Sequence, residues 1–248
     1  MKRYVKGLIM VLLFAAMLVP SVKASAAIAP AKPSGLGLSQ QEGNKFQLIW
    51  DYDANILYCG YNYNFGYEIT IKTLKNKTIA VIDKNSIDNG YESDIFGIST
   101  EYNKVYIVHT NKTMGSQAFK FSVKPYVYDE AGGRVYGEAS AEKIIVPRAT
   151  TKKAKLAGSG AVKVSWKKVK GAKSYTVYLT SNDGSSYKKK GTTKGTSFTI
   201  KKLKKYTNYA VYVTANGVKY KKKKYNSTKP LFKTSNTGTP FYIYTTYR

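Results

Sequence analysis

The stretch VKVSWKKVKGAKSYTVYL (residues 162–179) contains two strand-like runs separated by a turn. Apolar residues occupy every second position in two short runs, at 162–166 and 175–179. A period of two predicts β-strands with one face in a core, and Lys170-Gly171 between the runs is typical of a turn. Further alternating runs follow downstream, separated by Asn-Asp-Gly, Lys-Gly and Asn-Gly turns.

The first half of the chain repeats this scheme in the same order. The run at 46–50 also ends in a tryptophan, and further alternating runs begin at Tyr67 and Phe119. Each half has about the size of one β-sandwich domain, roughly 100 residues. We therefore predict an all-β protein of two tandem immunoglobulin-like β-sandwiches, joined by a linker near IVPRATTKKAK (145–155).

The N-terminus has the order of segments of a secretory signal peptide. Basic residues precede an apolar run at 7–20, and Ala24-Ser25-Ala26 is a small-x-small cleavage pattern. The run is shorter than the about 20 residues of a membrane span, although an uncleaved anchor is the alternative. The mature chain is predicted to contain no span and to be secreted, either extracellular or associated with the cell wall. The predicted division is a signal peptide at 1–26, a divergent first sandwich at 27–148, a strongly basic second sandwich at 149–234 and a tail at 235–248.

Four consecutive segments of the second half carry a resemblance to a known family. They are SWKKVKGAKSYTVYL, SSYKKKGTTKGTSFTI, LKKYTNYAVYVTA and ANGVKYKKKKYNSTKPL. They resemble the fibronectin type III modules of Gram-positive bacterial surface and secreted proteins. The resemblance implies that Trp166 ends strand B in the core, with Trp50 as its counterpart in the first sandwich. It also implies that Leu203 and Tyr209 lie around strand F, where the tyrosine hydroxyl bonds upstream backbone.

The first sandwich departs from this pattern. Phe119 stands where the corner tyrosine is expected, and 86 positions separate the strand-B tryptophan from Tyr136, against 59 in the second sandwich. Part of the extra length is the aromatic stretch DYDANILYCGYNYNFG (51–66). Tyrosine-rich loops suit glycan or protein binding, although an extra hairpin packed on the sandwich is the alternative. The candidate ligand-binding residues are Tyr58, Tyr61, Tyr63 and Phe65.

Charge is divided unevenly between the two halves. Residues 1–149 hold 17 Lys and Arg against 13 Asp and Glu, whereas residues 150–248 hold 24 against one, Asp183. Such an excess raises the local concentration of polyanions, which predicts contact with an anionic cell-wall polymer or glycan. The alternative is that the lysines are a solvated cover that protects strand edges. The candidate polyanion-binding residues are Lys188, Lys189, Lys190, Lys201, Lys202, Lys204, Lys205, Lys221, Lys222, Lys223 and Lys224.

The sequence offers no recognisable catalytic or cofactor motif. His109 is the only histidine and lies in a strand-like run, and none of the 14 acidic residues falls in a catalytic motif. The polar stretch SIDNGYESD (86–94) lacks the ligand spacing of an established calcium loop. No Cys/His cluster or Gly-rich phosphate loop is present, and Cys59, the only cysteine, cannot form an intramolecular disulfide. We therefore predict that the protein is not an enzyme and needs no cofactor.

Two function classes remain. The preferred one is a secreted, non-catalytic binding or adhesion module, held at the cell wall by its basic second sandwich. In this reading the first sandwich presents a ligand surface, and a protein ligand is a further option. Nucleic acid is not an expected partner, because the chain is predicted to be exported. The alternative is a structural spacer without a specific ligand, and a secreted effector is a weaker third possibility.

Overall fold

The computed structural model describes residues 28–53, 65–85, 95–99, 103–158, 160–181, 187–228 and 241–244. Nearly all of their regular structure is β-strand, in antiparallel sheets. Two hydrophobic clusters form the cores of two successive sandwiches. The predicted fold class, two tandem immunoglobulin-like β-sandwiches, is confirmed. The predicted signal peptide lies outside the described residues.

The first sandwich pairs two sheets of antiparallel strands. Its strands are β1 (Gly37–Glu42), β2 (Lys45–Asp51), β3 (Phe65–Thr73), β4 (Thr78–Asn85), β5 (Ile95–Ser99), β6 (Lys104–Thr110), β7 (Phe119–Tyr128), β8 (Arg134–Tyr136) and β9 (Lys143–Ile145). One sheet has the order β1-β2-β6-β5, and the other has the order β4-β3-β7-β8 with β9 also pairing with β7. A short helix, α1 (Lys112–Ser116), joins β6 to β7, and Asn111 caps it by accepting a hydrogen bond from the backbone nitrogen of Thr113 at 2.9 Å.

The second sandwich repeats this plan. Its strands are β10 (Thr151–Leu156), β11 (Val162–Trp166), β12 (Ser174–Ser181), β13 (Lys188–Thr193), β14 (Ser197–Ile200), β15 (Asn208–Asn216), β16 (Val218–Tyr220), β17 (Lys223–Tyr225) and β18 (Phe241–Tyr244). The sheets have the orders β10-β11-β14 and β13-β12-β15-β18, while β16 and β17 form a separate hairpin. Gly171 and Gly217 have positive φ angles of 83° and 73° in the turns before β12 and after β15, where a side chain would be strained.

Each core is centred on a tryptophan at the end of its second strand. Trp50 is fully buried and its ring lies 5.1 Å from that of Tyr67, while Trp166 is 3% exposed and lies 5.5 Å from Tyr175. Leu203 is buried in the same core as Trp166. The alternating apolar positions of the sequence supply these inward faces, because successive side chains of a strand point to opposite sides.

A tyrosine fixes the entry into β15. Tyr209 is buried, and its hydroxyl accepts a hydrogen bond of 2.8 Å from the backbone nitrogen of Lys204. This is the upstream backbone contact that the family resemblance implied. Beside it, the backbone nitrogen of Leu203 donates to the carbonyl of Gly160 at 2.9 Å, which ties the β14–β15 connection to the β10–β11 turn.

Two serines make the same contact in both sandwiches. The Ser140 hydroxyl accepts a hydrogen bond of 2.9 Å from the backbone nitrogen of Val123, and its own nitrogen donates to the Val123 carbonyl at 2.8 Å. Ser227 makes the same two bonds with Ala215, both at 2.8 Å. The similarity between the two sandwiches therefore extends to side-chain hydrogen bonds. These bonds also identify β7 of the first sandwich and β15 of the second as equivalent strands.

This alignment corrects the position that was assigned to the corner residue of the first sandwich. Tyr209 lies six residues before Ala215, and the residue six before Val123 is Gln117, not Phe119. Phe119 is instead a fully buried core residue, with its ring 5.6 Å from that of Phe46.

The end of the second sandwich lies beyond the predicted boundary. Residue 234 was the predicted last residue of the sandwich, and 235–248 was the predicted tail. Strand β18 falls within that tail, and Tyr209 pairs with Ile243, which is buried in the core. The predicted boundary is wrong because the apolar run at 241–244 forms the strand beside β15 and places Ile243 in the core.

The linker between the sandwiches is buried. Residues 146–149 are all buried. The side chain of Gln41 makes two hydrogen bonds to the backbone of Arg148: it accepts from the Arg148 nitrogen at 2.7 Å and donates to the Arg148 carbonyl at 2.8 Å. Burial lowers the pKa of Arg148 to about 10, and its Nη1 has no hydrogen-bond partner among the described residues. Ala118 of the first sandwich packs in the core of the second. The two sandwiches therefore meet through direct contacts.

Candidate polyanion-binding surface

The lysines singled out by the sequence are all exposed. Those at 188–190 begin the edge strand β13, those at 201–205 lie in the β14–β15 connection, and those at 221–224 form the β16–β17 hairpin. Exposure is a condition for contact with a polymer, and all of these lysines meet it.

Eight of these eleven lysines lie at two opposite ends of the second sandwich. Strand β15 starts beside the 201–205 connection and ends at Asn216, opposite the start of β12. The linker lies toward the latter end, because Ala149 donates to the carbonyl of Val213 at 2.9 Å. We call the lysines at the other end, Lys201, Lys202, Lys204 and Lys205, the distal lysines. Lys188, Lys189 and Lys190 lie on the edge strand β13, where Lys188 is opposite Leu179 and Lys189 is opposite Tyr178 in the middle part of β12. Those beside the linker, Lys221, Lys222, Lys223 and Lys224, are the hairpin lysines.

Two of these lysines adopt a backbone conformation that disfavours a side chain. Lys202 has a φ angle of 61° and Lys221 one of 50°, both in the left-handed region. This region costs an L-residue other than glycine about 1 kcal/mol or more. Each position carries a lysine where a glycine would be less strained, so the side chain is present in spite of the local backbone preference.

Further lysines on the outer face of the β10-β11-β14 sheet were missed by the sequence reading. Lys155 of β10 lies directly opposite Lys163 of β11, and Lys153 lies opposite Ser165 two pairs further along. All three lysines are exposed. Like charges in directly opposed positions destabilise a strand pair. Alternation predicted that Lys163 faces outward, but only the register shows which residue stands opposite it.

No acidic side chain offsets these charges within the described part of the second sandwich. Beyond Glu142 the sequence has one acidic residue, Asp183, which lies outside the described residues. In the first sandwich, by contrast, Lys32 pairs with Glu138 at 3.2 Å and Arg134 with Asp83 at 2.5 Å. The second sandwich therefore presents a positive surface at both ends and on one sheet face.

A groove of about 580 Å³ lies where the hairpin meets the first sandwich. The hairpin contributes Tyr220, Lys221, Lys222, Lys223 and Tyr225, and the first sandwich contributes Glu142 and Ile144. Lys120 lies beside it, with a side chain 5% exposed and its Nζ 2.6 Å from Glu142 Oε2. The bond to Glu142 raises the pKa of Lys120 despite its burial.

Of the four residues of the predicted aromatic surface, the structure describes only Phe65. Tyr58, Tyr61 and Tyr63 lie outside the described residues. Phe65 is 2% exposed and belongs to the first core, with its ring 6.1 Å from that of Tyr67 in an edge-to-face arrangement. Phe65 therefore packs inward as the first residue of β3, and it offers no ring face to a ligand.

An aromatic and cationic cluster of the first sandwich was also missed by the sequence reading. The guanidinium of Arg134 lies 4.2 Å from the ring centre of Tyr126 and 5.7 Å from that of Tyr128. The Tyr126 hydroxyl donates to Asp83 at 2.6 Å, and burial together with this bond raises the pKa of Tyr126. Tyr136 closes the cluster, 5.5 Å from Tyr126. Its charges are already matched within the cluster, so it does not add to the positive surface.

The described residues contain no arrangement suited to metal binding. No group of three or more His, Cys, Asp or Glu among them is placed to hold a metal ion. His109 lies in β6 opposite Phe46 of β2, inside a regular strand pair. In the same part of the chain, no helix is long and apolar enough to cross a membrane.

Comparisons with known proteins find similarity only among solved structures. No protein-family profile matches the chain, and no curated protein matches it. The chain is similar to the FN1-FN3 domains of chicken CNTN1, with 18% identity and a TM-score of 0.32, over 88% of this chain and 69% of that one. It is also similar to domains A168-A170 from titin, with 13% identity and a TM-score of 0.30, over 88% of this chain and 62% of that one. The chain thus spans less than two thirds of the titin fragment.

Proposed function

We propose that this chain is a secreted, non-catalytic binding module that attaches to an anionic cell-wall polymer through the lysines of its second sandwich. One observation carries the proposal. Lysines are exposed at both ends of the sandwich and on one sheet face, including the opposed pair Lys155 and Lys163, with no carboxylate among its described residues. A merely solvated surface would be expected to mix both signs of charge.

The arrangement suits a long, repetitive anion better than a compact one. The two lysine groups lie at opposite ends of the sandwich, so a polymer can contact several of them at once. Lysine ammonium groups are compact, hydrated charges on flexible stems, which favours adaptable contact with repeating anionic groups. Attraction of this kind is screened by salt, since the Debye length falls from about 10 Å at 0.1 M to about 3 Å at 1 M.

The choice of a cell-wall polymer rests on the predicted route of the protein. The N-terminal segment has the pattern of a signal peptide, and the second sandwich resembles modules of Gram-positive surface proteins. Teichoic acids are the nearest polyanion outside such a cell. The first sandwich would then present the specific ligand surface, for which Tyr58, Tyr61 and Tyr63 stay the candidates.

Cosedimentation with Gram-positive cell walls tests this proposal. Purified protein is mixed with walls before and after removal of teichoic acid, over a series of salt concentrations. We expect binding that depends on the polymer and declines steadily as salt rises. Equal binding to stripped walls, or no binding at low salt, would contradict the proposal.

A structural spacer is the second candidate function, and the junction between the sandwiches favours it. The linker is buried, and Gln41 joins the first sandwich to Arg148 through two backbone hydrogen bonds. A fixed junction suits a protein that sets a distance between two components. A spacer needs no polymer contact, so the cosedimentation experiment separates the two functions.

A further inference from the structure

We infer that the groove between the β16–β17 hairpin and β9 binds a phosphodiester-linked polyol or sugar chain. This rests on the proposed function and adds to it a specific place and a ligand chemistry. The proposed function requires only a positive surface. This inference requires in addition that one site, the groove, binds one class of polyanion more tightly than another.

The groove is built from both sandwiches. Its volume of about 580 Å³ lies within the range of ligand pockets, which often form at domain interfaces. Tyr220 and Tyr225 line it from the second sandwich, and Glu142 lines it from the first. Neither sandwich could form this groove alone.

An ion pair with one buried member, Lys120, lies at one wall of the groove. The Lys120 side chain is 5% exposed, whereas that of Glu142 is 44% exposed. The Nζ of Lys120 engages the carboxylate of Glu142, the one acidic residue among the described residues that line the groove. The charges left to face a ligand are those of the lysines at 221–223.

The lining favours a phosphodiester that carries a hydroxylated group. Lysine binds phosphate as a point charge, and three lysines in one turn can surround phosphate oxygens from several sides. The two tyrosines add ring faces and hydroxyls, which suit the apolar edges and hydroxyl groups of a polyol or sugar. The Nζ of Lys221 lies 5.6 Å from the ring centre of Tyr220, so a cation and a ring occur side by side in the groove.

Binding of two defined polymers by the full chain tests the inference. The probes are a glycerol phosphate oligomer and a polyglutamate of equal charge. The groove variant is K221Q/K222Q/K223Q, and the matched control is K45Q/K75Q/K77Q, which removes the same charge from exposed positions of the first sandwich. We expect the wild type to prefer the phosphodiester, and the groove variant to lose about tenfold in affinity for it along with the preference. The control variant should keep the preference.

Each alternative outcome has a definite meaning. Equal losses in both variants, or equal affinity of the wild type for both probes, would overturn the inference and leave the proposed function standing. Absence of binding to either probe at low salt would overturn both. Chemical shifts of tyrosine ring protons give a second readout, because the oligomer should move those of Tyr220 and Tyr225. Shifts confined to Tyr206, which is 68% exposed at the distal end, would also overturn the inference.

Discussion

Lys155 and Lys163 stand directly opposite each other on β10 and β11, both exposed. On the other side of Lys163 the paired residue is Thr199 of β14, so the register places no acidic residue opposite either lysine. Cross-strand pairs of like charge lower stability, whereas opposite charges raise it. The sequence therefore keeps a pair of like charges that lowers stability. This cost is expected if the surface serves the proposed polyanion binding.

Replacing one member of this pair should raise stability and lower binding. K163E creates an opposite-charge pair with Lys155, which should increase the free energy of unfolding by about 0.2–1 kcal/mol. The same change should weaken binding to teichoic acid. Urea denaturation and cosedimentation measure the two effects. The control K194E makes the same charge change at an exposed turn position and should alter stability by less than about 0.5 kcal/mol. A less stable K163E protein would contradict this account.

Gln41 should be important for the junction between the sandwiches. Q41A leaves the buried backbone nitrogen and carbonyl of Arg148 without their partner, which should lower the free energy of unfolding by about 1–3 kcal/mol. The matched control is Q47A, at a half-buried position of β2. Calorimetry should show one unfolding transition in the control and two separated transitions in Q41A. Identical thermograms would show that the clamp contributes nothing.

The two equivalent serines allow a comparison between the sandwiches. S140A and S227A each remove the acceptor of a backbone nitrogen in the central strand, so each should cost about 1–3 kcal/mol. S227A should cost more, because its hydroxyl also donates to the carbonyl of Pro147 in the linker at 2.8 Å. Chemical denaturation of both variants measures the difference. A smaller loss in S227A would argue against a role for the linker bond.

Asp51 should give stability a dependence on acid pH. Hydrogen bonds from Lys104 and Ser34 lower the pKa of Asp51, so its ionised form favours the folded state. The stabilisation is present above the unfolded-state pKa of about 3.9 and is lost as the pH falls through the lower folded-state pKa. D51N should therefore be less stable at pH 7, by about 1 kcal/mol or less because solvent screens the partly exposed pair.

Urea denaturation of wild type and D51N from pH 7 to about pH 2 measures this effect. The difference between the two proteins should shrink as the pH falls. A difference that stays constant over this range would show that the ionised form of Asp51 does not stabilise the fold.

Much of the fold could be predicted because strand formation leaves a local signal. Alternation at 162–166 and 175–179 located two strands, and the two tryptophans marked the cores. The last strand was missed because β18 pairs with β15 across more than twenty residues of chain that include a separate hairpin. A short apolar run at the end of a chain carries no information about its partner, so FYIY at 241–244 was assigned to a tail.

The candidate site was only partly predictable for a related reason. Runs of lysine are visible in the sequence, and their exposure followed from the cost of burying a charge. The opposition of Lys155 and Lys163 depends on register, and the groove is lined jointly by Glu142 and a hairpin about 80 residues later in the chain. The burial of Phe65 had a local signal, since it begins the alternating pattern of β3, but it was grouped with the tyrosines before it.

Charge-matched variants of the full chain test the central proposal most directly. One variant carries Gln at the second-sandwich positions Lys188, Lys189, Lys190 and Lys201. The other carries Gln at Lys45, Lys75, Lys77 and Lys112, which are exposed in the first sandwich. The measurement is the dissociation constant for teichoic-acid-bearing walls at low salt. We predict a loss of about tenfold or more in the first variant and less than about twofold in the second. Equal losses would show that binding follows net charge alone, and would contradict a binding surface on the second sandwich.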